Sequence, residues 1–190
     1  MGTVLKFLGC IALGAALGLG ATWAAMTQGG LWNEVENGPW RTSLAIGNAA
    51  SDPYTRAYVA IHGLLALNRS ETVYYFADRD EAGAALDGRC RYRVAGTDPD
   101  ARWWSVTAYA GDNFLIPNDA RRYSISKNSA LRGADGSFVI EVANTAAPAN
   151  WIPVARAPFS LTLRLYNPGA SVLEDPAATK LPRIVKGPCA

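Results

Sequence analysis

Histidine is almost missing from this 190-residue chain, where His62 is the only one. A Ser-His-Asp triad would have to recruit that residue, and no Gly-x-Ser-x-Gly turn is there to present a serine. A structural zinc site needs closely spaced Cys or His ligands. Here Cys10, Cys90 and Cys189 lie far apart beside one histidine. No cysteine motif pairs Cys90 or Cys189 with His62, which reads as an ordinary core or surface residue of a helix. Phosphate-binding loops and dinucleotide fingerprints are also absent. So are long runs of one charge: 18 basic against 16 acidic residues give a net charge of +2. That balance argues against nucleic acid as a partner. The acidic groups Asp78, Asp80 and Glu81, and Asp98 with Asp100, read as solvated turn residues rather than a glycosidase pair. The sequence therefore predicts no catalytic set, no metal and no cofactor.

What is plentiful is apolar character, with 49% hydrophobic and 18% charged residues. A membrane segment accounts for the excess. Phe7–Met26 carries no charge and is long enough to cross a hydrocarbon core of about 30 Å at about 1.5 Å per residue. Lys6 precedes it, and Glu34 and Glu36 follow. That bias predicts a single span of the bacterial inner membrane, N-terminus inside and domain in the periplasm, with Trp23 at the far interface. Ala21, Ala24 and Ala25 offer a signal-cleavage alternative, but the run is long for a signal peptide. Cys10 comes before most of the run, whereas a lipidation signal needs it after. Gly14 and Gly18, continued by Thr22, form a small-residue stripe that suits a helix partner, or simply a Gly/Ala-rich anchor.

The rest is organised around Ala101–Pro117, ARWWSVTAYAGDNFLIP. Trp104, Val106 and Ala108 alternate with Trp103, Ser105, Thr107 and Tyr109, which is the period of a strand. Gly111-Asp112-Asn113 then predicts a turn, and Phe114-Leu115-Ile116 the returning strand of a hairpin. Upstream, Asp52-Pro53 predicts a helix start, with Tyr54, Tyr58, Ile61 and Leu65 on one face and an end near Leu67-Asn68. Strands are predicted over Glu71–Ala77, Arg89–Ala95, Arg122–Ser126, Ser137–Ala143, Phe159–Tyr166 and Arg183–Lys186. Asn144–Pro158 reads as a long loop. Arg89, Arg91 and Arg93 read as a solvated outer strand face rather than an anion-binding stripe. The domain plan is 1–30 anchor and start of linker, 31–51 linker, and 52–190 helix plus β-sandwich. In an oxidising compartment Cys90 and Cys189 are candidates to pair; two unrelated buried thiols is the other reading.

WWSVTAY, RRYSIS, ADGS, NWIP, FSLTLRLYNP and LPRIVKGPC, in that order over Asp52–Cys189, resemble the bacterial family called domain of unknown function 1214. The resemblance implies a jelly-roll-like β-sandwich with a helical lead-in. In larger relatives this domain forms the C-terminal half, behind a different β-rich domain, so the chain resembles a short, membrane-anchored branch. The family's activity is not established, and the resemblance brings no reaction.

Candidate ligand-binding residues are the aromatic, Arg and Asn side chains a rigid sheet would display: Trp103, Tyr109, Arg122, Asn150, Trp151 and Arg164. Asn113, Arg121, Tyr123 and Tyr166 belong to the same wider set. Aromatic planes with such donors suit a glycan or a small polar ligand. In the competing reading, Trp103 and Trp104 are packing anchors, Asn150–Pro153 is a packed loop and Arg164 pairs structurally. The chain thus reads as an envelope binding or interaction module. A subunit of a membrane complex and an unrecognised envelope hydrolase are the alternatives.

Overall fold

The computed structural model describes residues 2–28, 34–61 and 66–189. His62, Leu65 and Trp32 lie outside these. Helix α1, Gly2–Gln28, is apolar and long enough to cross a membrane. Helix α2, Pro53–Ile61, starts where the sequence predicts. The Asp52 carboxylate accepts the N–H groups of Tyr54 and Thr55 at 2.9 and 3.1 Å, and the Thr55 hydroxyl. The predicted helix end falls beyond residues 62–65, and Leu67 and Asn68 are not helical.

Ten strands form two sheets among the described residues. The larger takes β1 (Val35–Asn37), β2 (Trp40–Thr42), β3 (Thr72–Ala77), β9 (Phe159–Pro168), β5 (Ala101–Ala110) and β6 (Ser124–Ser126), in that spatial order and wholly antiparallel. The smaller takes β10 (Arg183–Cys189), β4 (Cys90–Gly96), β7 (Phe138–Ala143) and β8 (Trp151–Pro153). A short helix, α3 (Ala170–Glu174), follows β9. The protein is thus mainly β, with an apolar N-terminal helix.

One core lies between the sheets. Each long strand sends alternate residues into it: Val73, Tyr75 and Ala77; Tyr92 and Val94; Trp104, Val106 and Ala108; Ile140 and Val142; Leu161, Leu163 and Leu165. Trp104 stacks on Phe138 with ring centres 4.6 Å apart. The sequence predicts this inward alternation for Trp104, Val106 and Ala108 of β5, and the outward face for Arg91 and Arg93 of β4. In β7 and β9, both read as strands, the same period appears in Phe138, Ile140 and Val142 and in Phe159, Leu161, Leu163 and Leu165.

Three expectations change. Residues 35–42, inside the span read as linker, supply β1 and β2, and Trp40 is buried in the core with its indole N–H on the Pro182 carbonyl at 2.7 Å. The predicted hairpin return is not a strand. The chain reverses at Asn113, in the left-handed region at φ 65°, but only Leu115 pairs back, with Tyr109. β6 occupies that edge of β5 instead, leaving Phe114 exposed and folding Ile116 into the core. The Asn144–Pro158 loop contains β8, parallel to β7.

The sheet's other face is also partly covered. Ile46 and Tyr74 form a second apolar cluster with Tyr58, Val59, Ala66 and Phe76. Leu67 donates its N–H to the Tyr74 hydroxyl at 3.0 Å. Gly47 makes this approach possible: it has φ 75°, and a Cβ there would sit 1.8 Å from the Leu67 carbonyl oxygen. So α2 and its flanks form a cover over the outer face of β3 and β9.

Candidate functional site

Strand register places the outward side chains. Thr72, Tyr74 and Phe76 of β3 lie opposite Tyr166, Arg164 and Thr162 of β9. On β9's other side stand Trp103, Ser105, Thr107 and Tyr109 of β5. One face is therefore a grid of rings and hydroxyls around a single arginine. With the cover beside it, this face carries a half-open cavity of about 450 Å³, within the size range of small-molecule sites. Tyr74, Phe76, Tyr109, Ser160, Thr162, Arg164 and Tyr166 form the floor, with Ala77 and Asp78 at one edge. Tyr58, Leu67, Arg41 and Asn113 close it from the sides.

Arg164 is half-buried in this cavity. One terminal nitrogen donates to the Tyr109 hydroxyl at 2.8 Å and the other reaches the Thr107 hydroxyl at 3.4 Å. Its guanidinium carbon lies 5.9 Å from the Tyr74 ring centre and 5.5 Å from that of Tyr109, close enough for cation–π attraction. Among the described residues no carboxylate pairs with it. Arg41, the cavity's other cation, is paired: it meets Asp78 at 3.1 Å and Glu34 at 3.5 Å. Burial raises the pKa of the Tyr58 phenol, and the nearby Glu34 charge adds to the effect, so it stays neutral at physiological pH.

Of the sequence candidates, only Tyr109 and Arg164 line the cavity together, joined there by Asn113 and Tyr166 from the wider set. Trp103 borders it indirectly, edge-on to Tyr166 at 5.1 Å. Arg122 sits exposed in the loop before β6, its backbone bonded to the Asn118 side chain. Trp151 opens β8 of the other sheet, and Asn150 immediately precedes it. The Asn150 amide accepts the Leu131 N–H at 2.7 Å and donates to the Leu131 and Val139 carbonyls. The Trp151 indole donates to the Ala143 carbonyl at 3.0 Å. Both therefore secure backbone away from the cavity. The arginines in and just before β4 are partnered as well: Arg89 by Asp87, Arg91 and Arg93 by Glu141.

Sequence reasoning missed Tyr74, Phe76, Thr162, Tyr58 and Arg41. A signal existed for two of them. The strand TVYYFA carries aromatics at both parities, Tyr75 on one and Tyr74 with Phe76 on the other, as a strand covered on both faces does. The cover itself, from residues distant in sequence, left no local trace. Among the described residues no group of His, Cys, Asp or Glu has a metal-holding arrangement.

Fold and site together define a two-sheet, mainly-β protein with an apolar N-terminal helix and a ligand-sized cavity on one sheet's outer face. Residues 71–170 match the family described as "Protein of unknown function (DUF1214)". That span is more than half of the chain, and the chain belongs to this family. The matched span contains β3, β5 and β9, hence the cavity floor, while Arg41, Tyr58 and Leu67 lie outside it. The crystal structure of the VPA0106 protein from Vibrio parahaemolyticus is similar, with a TM-score of 0.59 at 24% identity, over 73% of this chain and 36% of that one. The chain thus spans about a third of that protein, and the likeness concerns the fold. An uncharacterised Burkholderia cenocepacia protein aligns with a TM-score of 0.43 at 18% identity, over 61% of this chain and 29% of that one. No curated protein matches the chain.

Proposed function

We propose that this protein is a binding module of the bacterial cell envelope. In this reading α1 holds it at the inner membrane, the sandwich faces the periplasm, and the covered outer face of the larger sheet takes up a small polar ligand. One observation carries the reading: Arg164 stands in a ligand-sized, aromatic-walled cavity with only neutral partners among the described residues. The one carboxylate on the lining among the described residues, Asp78, is engaged by Arg41, which supports binding rather than acid–base chemistry. Compartment is supported by the anchor's charge bias and by the disulfide that joins Cys90 to Cys189, since such bonds persist where the surroundings oxidise.

Isothermal titration of the full chain in detergent, against sugars, amino acids and small organic acids, tests the binding reading. Saturable binding is expected from at least one class. It should be lost in Ser160→Trp, which fills the cavity from a half-buried position. No saturable binding to any class, or binding unchanged in Ser160→Trp, would refute it.

A further inference from the structure

We infer that the cavity selects a monocarboxylate with an apolar, preferably aromatic, body, and that Arg164 is the residue that holds the carboxylate. The inference rests on the binding reading above and names its ligand class.

Among the described residues two cations line the cavity, and their states differ. Arg41 is neutralised by two carboxylates. Arg164 has two hydroxyl partners and two ring faces. A guanidinium carries five N–H donors in a planar fork. Two of its bonds go to Tyr109 and Thr107, so the fork keeps donors to spare. A partly desolvated cation without a counter-charge is unfavourable, and a carboxylate answers both its charge and its bidentate geometry. The Tyr109 bond and the flanking rings of Tyr74 and Tyr109 hold the guanidinium in place, so little ordering remains to be done on binding.

The remaining walls specify the body of the ligand. Phe76, Tyr166 and Leu67 are apolar or aromatic and border the same space. A sugar acid would lay several hydroxyls against these rings, although Ser160, Thr162 and Asn113 offer it polar contacts at the floor and side. A second carboxylate would find no free cation among the described lining residues, since Arg41 is already held by Asp78 and Glu34. An aromatic or short alkyl acid fits both constraints, and these two sources differ only in whether the body stacks.

Titrating the full chain in detergent with phenylacetate, phenylacetamide, hexanoate and glucuronate separates the possibilities. Phenylacetate should bind at least ten-fold more tightly than phenylacetamide, its neutral isostere. Hexanoate should bind measurably, and more weakly than phenylacetate if ring stacking contributes. Glucuronate should bind at least ten-fold more weakly than phenylacetate. Arg164→Gln should abolish the preference for acid over amide, and Arg164→Lys should keep part of it. Tyr109→Phe, which removes one hydroxyl and retains the ring, should weaken phenylacetate several-fold while the far-ultraviolet spectrum stays unchanged. Equal affinity for phenylacetate and phenylacetamide, or a preference that survives in folded Arg164→Gln, overturns the inference and leaves the cavity a binding site for neutral ligands. No binding by any of the four acids or amides also overturns it; the wider titration panel then decides whether the binding reading falls with it.

Discussion

Asp98 links three elements through one carboxylate. It accepts the Trp104 indole N–H at 3.0 Å, pairs with Arg132 at 2.9 Å and faces Lys127 at 3.9 Å. Burial by itself would raise its pKa. The hydrogen bonds from Arg132 and Trp104 and the two positive charges together outweigh that and hold it below the usual value. The folded pKa lies below the unfolded one, so the contribution to stability is full above the ordinary carboxylate value of about 3.9. It is lost as pH falls through the folded value. Asp98→Asn keeps an acceptor for Trp104 and removes the charge. The carboxylate is about one-third exposed, so its ion pairs are discounted for screening, and a loss of about 1 kcal/mol at pH 7 is expected. In urea unfolding followed by tryptophan fluorescence, the gap between wild type and variant should narrow as pH drops below the ordinary carboxylate value. A gap that stays constant as pH falls through and below that region would mean the charge contributes nothing.

Elements differed in how far their sequence gave them away. β4, β5, β7 and β9 each send one parity of apolar side chains into the core. A period of two is visible in the sequence within six or more residues, even though cover on the outer face also buries Ser105, Thr107 and Thr162. β2 and β8 have three residues each, too few to show a period. Trp40 looked like part of a linker because what buries it, β3 and the Pro182 region, lies far along the chain. Arg164 was legible as an arginine between apolar neighbours, but its surroundings come from β3, β5 and the cover, which only pairing assembles. The tail strand β10 pairs with β4, in register from Arg183 with Ala95 through Lys186 with Tyr92. Beyond a bulge, Cys189 meets Cys90 and the two form a disulfide across 99 residues of sequence. Cross-linking so distant a pair restricts the unfolded chain, and removing such a bond costs about 2–4 kcal/mol. Cys90→Ala with Cys189→Ala should lower stability by that order in urea titration, while reductant leaves the double variant unaffected. Non-reducing peptide mapping of the protein isolated from an expressing bacterium should show the two cysteines linked. Finding both open to alkylation before reduction would remove the bond and the compartment argument with it.

The molecule as a whole uses the two faces of its larger sheet differently. The inner face is given to the sandwich core, and the outer face is partly sealed by α2 and its flanks to leave the cavity. Substitutions on the inner face should therefore act through stability, and those at Arg164 or Ser160 through binding. The apolar helix α1 places this arrangement at a membrane in the proposed reading, and its orientation decides which solution fills the cavity. Lys6 before the span and Glu34 with Glu36 after it favour the N-terminus inside. Protease added to intact spheroplasts of an expressing bacterium should then digest the sandwich, and a cytoplasmic marker should survive. Carbonate washing should leave the full-length protein in the membrane pellet, at the mass expected with Phe7–Met26 still attached. Release of a shortened, soluble form would identify the segment as a cleaved signal and keep the periplasmic address. Protection of the sandwich until the spheroplasts are lysed would reverse the orientation, place Cys90 and Cys189 in a reducing compartment, and refute the envelope reading.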